Sequence, residues 1–127
     1  MVRLFLTMKR KYITYDDLLD TALAECDSFT LVWRSGALEE SARELEMSLE
    51  PWLLEDFSSY SWPGTATSEK ARVRKYRVCA ESIDALRRVD SVFDLLHPRY
   101  PEDLAFYAGE KVRFASITHK GDAWFEP

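Results

Sequence analysis

The sequence predicts an α+β fold, in which three helices pack on a mostly antiparallel sheet of about four strands in the order α-β-α-β-α-β-β. Two patterns lead to this prediction. Apolar residues recur at helical spacing in three segments, and runs rich in β-branched and aromatic residues lie between and after them. The length of 127 residues and the 46% content of hydrophobic residues favour a single domain, 1–127, whose core needs no disulfide bonds.

The first helix is predicted from about Tyr15 to Cys26, because Thr14 and Asp17 have the spacing of an N-terminal capping box. A strand is predicted at 28–34, where a nearly continuous apolar run favours a central position in the sheet. Residues 1–7 precede a more ordinary start at Met8, so we expect them to be a start-site overcall or a floppy extension.

The second helix is predicted from about Ala37 to Leu49, where apolar residues form one stripe and glutamates line the opposite face. Pro51 ends this helix or begins a short extra turn. The stretch from Phe57 to Glu69 is rich in Ser, Thr, Pro and Gly, and we interpret it as a linker-like segment.

A basic strand is predicted from Ala71 to Ala80. Each of its faces mixes charged and apolar side chains, which favours an edge strand or a strand with a bulge. The third helix is predicted from Glu81 to Leu96, because apolar residues again recur at helical spacing, and Pro98 stops it.

The last third of the chain predicts a β-hairpin, with strands at 103–107 and 112–118 and a further extended piece at 123–125. Gly109, as the first central residue of the loop, suits a type II′ turn. This turn sets two residue pairs across the hairpin: Tyr107 with Val112, and Ala105 with Phe114.

The formal net charge of −5 is unevenly distributed along the chain. Residues 15–57 carry twelve acidic and two basic residues, which disfavours general affinity for nucleic acid and suits a basic protein partner. The chain has no segment resembling a signal peptide or a membrane span, so we expect a cytoplasmic protein without membrane contact.

The sequence contains none of the common motifs for cofactors, phosphate or metal. It lacks the glycine-rich phosphate loops and the nucleophile elbow of hydrolases. Cys26, Cys79, His97 and His119 are too scattered for a metal site, and the two cysteines are interpreted as buried thiols. We therefore expect no cofactor and no metal.

Several short motifs follow one another along the chain: Trp62-Pro63-Gly64-Thr65, Pro101-Glu102-Asp103-Leu104, Thr118-His119 and Asp122-Ala123. In this order they resemble a group of small, stand-alone, uncharacterised bacterial proteins, over roughly half of the chain. The resemblance implies a bacterial origin and an α+β fold, but no reaction. Where similar proteins often carry an acidic residue after the His, this chain has Lys120-Gly121.

His119 is the residue best suited to catalysis. Asp122 follows three residues later, and a turn at Gly121 could bring its carboxylate to the imidazole ring. A small hydrolase using His119 and Asp122 is therefore one hypothesis, which requires a pocket beside His119. The alternative is a structural His in a turn, because Ser116 and Thr118 point to the opposite face of the strand.

A second hypothesis is nucleic-acid binding through the basic strand. It carries Lys70 and the run from Arg72 to Arg77, which together could form a positive stripe. The alternative is charge that protects an edge strand or pairs with the acidic helices.

The leading hypothesis rests on the aromatic segment that contains Trp52, Phe57, Tyr60 and Trp62. Tryptophan and tyrosine are enriched in interface hot spots, although they are also ordinary core residues. The sequence thus favours a non-enzymatic protein-binding module that uses this segment and the acidic helix face. Its acidity and its lack of cofactor motifs suit an immunity- or antitoxin-like role, in which an acidic protein neutralises a basic partner. The oligomeric state is left open.

Overall fold

The computed structural model describes residues 5–6 and 12–126 of the chain. It confirms the α+β class and the three helices, but the sheet has six strands rather than about four. In the described residues, no helix has the length and apolar character needed to cross a membrane.

The helices are α1 (Tyr15–Glu25), α2 (Glu40–Leu49) and α3 (Ala80–Leu86). The predicted capping box of α1 is confirmed, with the Asp17 N–H donating to Thr14 Oγ1 at 3.1 Å. The third helix is much shorter than predicted. The Ser91 side chain accepts from the Phe93 N–H, and Asp94 accepts from the Ser91 N–H, so local side-chain bonds replace the helical ladder there.

The strands are β1 (Phe5–Leu6), β2 (Tyr12–Ile13), β3 (Ser28–Trp33), β4 (Leu53–Trp62), β5 (Thr65–Arg77), β6 (Glu102–Ala108), β7 (Lys111–Ile117) and β8 (Asp122–Phe125). The six longer strands form one antiparallel sheet in the order β4-β5-β3-β6-β7-β8, and the central position predicted for β3 is confirmed. Strands β1 and β2 pair separately. The prediction for residues 1–7 falls largely outside the described residues.

Two predictions for the middle of the chain need correction. The linker-like stretch from Phe57 to Glu69 belongs to a β-hairpin made by β4 and β5, which turns at Pro63-Gly64. Of the two alternatives for β5, the edge strand is wrong, because β5 lies between β4 and β3. The other alternative, an irregular strand, agrees with the register shifts in its pairing with β4. Ser and Thr suit an exposed hairpin as well as a linker, so composition alone did not separate the two.

The C-terminal hairpin confirms the position of the turn, with Gly109 at a φ of 61°. Tyr107 pairs with Val112 as predicted, but Phe114 pairs with Phe106 rather than with Ala105. A bulge between Phe106 and Tyr107 shifts the register by one residue. The extended piece near 123–125 is confirmed as β8.

Both faces of the sheet carry buried residues. One face packs against the helices through a large core, which includes Phe29, Tyr76 and Phe106. The other carries a smaller cluster: Val32, Trp62, Ala71 and Val73. At the tip of the β4–β5 hairpin, Gly64 lies against Trp124 of β8, on the far side of the strand order. The hairpin therefore curls over this second face of the sheet.

Candidate functional site

Asp103 holds the curled hairpin to the sheet. The Trp62 indole N–H donates to its Oδ2 at 2.8 Å, and the Thr118 N–H donates to its Oδ1 at 2.9 Å. The Asp103 N–H in turn donates to Thr118 Oγ1 at 3.0 Å. The side chain is buried and its φ is 56°, in the left-handed region that only a few residue types tolerate. We call Trp62, Asp103 and Thr118 the hairpin lock.

Glu102 is a second buried carboxylate beside the lock. Its Oε2 accepts from Arg34 Nε at 3.2 Å, and its Oε1 accepts from the His97 N–H at 3.3 Å. The Arg34 guanidinium also lies 5.2 Å from the centre of the Trp62 ring. All four carboxylate oxygens of Glu102 and Asp103 therefore accept a hydrogen bond from the protein.

A cleft of about 280 Å³ opens next to this group. The residues that line it come from the end of β3, the hairpin tip, and the turn after β7: Arg34, Gly64, Thr65, Ala66, Thr67, Ile117, His119 and Lys120. We call it the Arg34–Lys120 cleft. His119 and Asp122 are both exposed, and within residues 12–126 no hydrogen bond joins them. The Ser116 hydroxyl is committed to the Leu104 carbonyl at 2.8 Å.

His119 also approaches the two buried carboxylates. One potential ligand atom from each of Glu102, Asp103 and His119 lies within 4.8 Å of the others. A metal ion there would compete with four existing N–H donors and would sit beside the Arg34 guanidinium. The arrangement is better explained as hydrogen-bonded support for the hairpin lock.

The aromatic segment divides between the core and the surface. Trp62 is 7% exposed and belongs to the hairpin lock, and Trp52 is half-buried. Phe57 and Tyr60 are 43% and 53% exposed on β4, and Leu54 on the same strand is 55% exposed. Strand β4 is an edge of the sheet. Sequence reasoning had not singled out Leu54, whose exposure depends on a bulge in the β4–β5 pairing.

The basic side chains of β5 are largely paired with acids. Arg74 contacts Glu46, Glu50 and Asp56 at 3.1, 3.1 and 3.2 Å, and Arg72 contacts Asp56 at 2.9 Å. The hydrogen bond from Arg72 lowers the pKa of Asp56 below its usual value, and that from Arg74 adds to the effect. The Lys75 ammonium also lies 3.7 Å from the carboxylate of Glu55 on β4. This compensation weakens the case for nucleic-acid binding through β5.

Comparison of the chain with protein-family models, curated proteins and solved structures gives no significant match.

Residues from three of the short sequence motifs meet at one place in the fold. Trp62 and Gly64 come from the hairpin tip, while Asp103, Thr118 and His119 come from β6 and the turn after β7. The sequence analysis treated Trp62 and His119 as separate candidates and did not include Arg34. The Arg34 guanidinium lies over the Trp62 ring, and Arg34 lines the same cleft as His119. The available sequence signal was the acidic pair Glu102-Asp103 at the start of the otherwise apolar strand β6.

Proposed function

We propose that this protein is a non-enzymatic protein-binding module, which contacts its partner through strand β4. The observation that carries the proposal is the exposure of three apolar side chains on this edge strand: Leu54, Phe57 and Tyr60. Scattered exposed apolar residues are normal on a protein surface. Three large ones within seven residues of a single edge strand favour a contact surface.

The β4 edge suits contact through side chains rather than addition of a new strand. The pairing of β4 with β5 shifts register between Leu53 and Glu55 and again between Ser59 and Ser61, and irregular edges disfavour strand pairing with another chain. The Tyr60 ring is further held by the Lys70 ammonium, 5.3 Å from its centre. An aromatic anchor held in this way loses little conformational entropy when it binds.

The charge around β4 favours a basic partner. The side chains of Glu50 and Glu55 are 57% and 60% exposed, although each also pairs with a basic residue of β5. Helix α2 adds exposed acids at Glu40 and Glu44, and Glu39 precedes it. Complementary charge speeds association and orients the partner, as an immunity- or antitoxin-like role requires.

The test compares partner capture by matched surface variants. Phe57→Ser and Tyr60→Ser remove apolar contacts on β4, whereas Leu23→Ser removes an apolar side chain of the same 43% exposure on α1. The unmodified protein should retain a defined, basic partner from an extract of its source organism. The β4 variants should weaken the purified complex at least tenfold by calorimetry, and Leu23→Ser should leave it unchanged. Equal affinity for all three variants, or no stable partner, would contradict the proposal.

The hydrolase hypothesis keeps one supporting observation, the Arg34–Lys120 cleft beside His119. Its proposed pair is not assembled, since no hydrogen bond joins Asp122 to His119 in the described part of the chain. We therefore rank it second. Turnover of an ester substrate that is abolished by His119→Ala would revive it.

A further inference from the structure

We propose that the Arg34–Lys120 cleft binds the phosphate group of a small phosphorylated molecule. This site is separate from β4 and does not depend on the protein-binding role. The first observation is the chemistry of its lining. Arg34, His119 and Lys120 meet the hydroxyl-bearing Thr65 and Thr67. Among the described residues the lining itself has no carboxylate, and the nearby Glu102 and Asp103 are buried and hydrogen-bonded. This lining is basic although the chain as a whole is acidic, with 22 acidic and 17 basic residues.

Arg34 is already positioned to receive an anion. Its Nε–H is bound to Glu102, and its guanidinium lies over the Trp62 ring. No hydrogen bond within residues 12–126 engages its two terminal Nη groups. Arginine binds phosphate through two parallel N–H groups, and a guanidinium that is already fixed loses less conformational freedom on binding.

Thr65 provides an unused polar group at the hairpin tip. Its Oγ1 is buried and has no hydrogen-bond partner in the part of the chain that the structure describes. A buried hydroxyl without a partner costs about 1–3 kcal/mol, and a small shift of the hairpin tip would let it donate a hydrogen bond to a phosphate oxygen in the cleft. This orphaned hydroxyl is independent of the positive charges.

The local electrostatics favour an anion over a metal ion. Glu102 and Asp103 each have a carboxylate oxygen within 4.8 Å of a ring nitrogen of His119, but their four oxygens already accept from four N–H donors. The lining instead presents the Arg34 guanidinium and the Lys120 ammonium. The volume of about 280 Å³ lies just below the usual range for drug-sized ligands, which suits a phosphate monoester with a small organic group.

The experiment uses the full chain, ¹⁵N-labelled, and follows its amide resonances during titration with phenyl phosphate at constant ionic strength. Saturable shifts should centre on Thr65, Lys120 and their neighbours. Lys120→Gln and Thr65→Val should each weaken binding about fivefold to tenfold. Lys111→Gln, a change of the same type at an exposed lysine outside the cleft, should leave the affinity unchanged.

Thr65→Val separates binding from stability. Because it removes an unsatisfied hydroxyl and keeps the side-chain shape, the free protein should be as stable as before or more stable. Weaker phosphate binding by a variant of full stability supports the proposal. Equal affinity of Lys120→Gln and Lys111→Gln, shifts of the same size with sodium chloride, or equal affinity for acetate would each overturn it.

Discussion

Asp103 shows how a single residue can tie two distant strands together. Its carboxylate accepts from the Trp62 indole at 2.8 Å and from the Thr118 amide at 2.9 Å, inside the fold. Asp103→Asn keeps the shape and tolerates the φ of 56°, but it replaces one acceptor oxygen with an NH₂ group. One buried N–H then loses its acceptor. We expect a loss of about 2 kcal/mol in the free energy of unfolding, measured by urea denaturation.

A double-mutant cycle checks that this loss comes from the hydrogen bond. Trp62→Phe removes the indole donor, so adding Asp103→Asn to it no longer leaves that N–H unpaired. The double variant should be more stable than the sum of the two single effects predicts, by about 1 kcal/mol. Strict additivity would show that Trp62 and Asp103 act separately.

At the scale of elements, the acids and arginines between α2, β4 and β5 fix the helix to the hairpin. Asp56 is central to this group, because Arg72 and Arg74 both donate to it. These bonds lower the pKa of Asp56 in the folded state, so its contribution to stability is present above the ordinary value of 3.8. That contribution disappears as the pH falls below 3.8 toward the lowered pKa.

The prediction is that acid destabilises the native protein more than it destabilises Asp56→Asn. Above about pH 5 the free energies of unfolding of the two proteins should differ by a constant amount. This difference should be only on the order of 1 kcal/mol, because the Asp56 side chain is partly exposed. Below about pH 4 the difference should shrink. The free energy of unfolding at a series of pH values checks this, and a difference that grows in acid would contradict it.

The elements that could be predicted from the sequence are those with local signals. Thr14 and Asp17 marked the start of α1, the apolar run of β3 marked a central strand, and Gly109 marked the C-terminal turn. The position of β5 could not be found in this way. Arg74 has the charge expected of an edge strand, but it is buried because acids from α2 and β4 pair with it. Pairing between residues so far apart in sequence leaves no local pattern.

The candidate site was predictable only as separate pieces. Trp62 and His119 were noticed for their chemistry, but nothing local indicates that Trp62 bonds to a residue 41 positions away. That contact exists because the β4–β5 hairpin curls over the sheet, which depends on the whole strand order. Arg34 and Thr65 line the cleft for the same reason.

At the scale of the whole molecule, Gly64 sets how closely the hairpin tip approaches β8. A Cβ added there would lie 2.5 Å from Cη2 of Trp124 and 3.2 Å from Cδ1 of Ile117, and the φ is 83°. Gly109 offers a matched comparison, because its φ is 61° and nothing lies within 4 Å of an added Cβ. Alanine at either position strains the backbone, but only Gly64→Ala also forces the Trp124 ring to move.

We therefore expect Gly109→Ala to lower the free energy of unfolding by about 1–2 kcal/mol, the cost of a left-handed alanine. Gly64→Ala should lower the free energy of unfolding by about 1–3 kcal/mol more than Gly109→Ala does, because the hairpin tip can no longer pack against the Trp124 ring. Only Gly64→Ala should also shift the indole N–H resonances of Trp62 and Trp124, since the hairpin lock lies directly behind the tip. Equal destabilisation by the two variants, with both indole resonances unmoved, would show that closure of the hairpin over the sheet does not stabilise the fold.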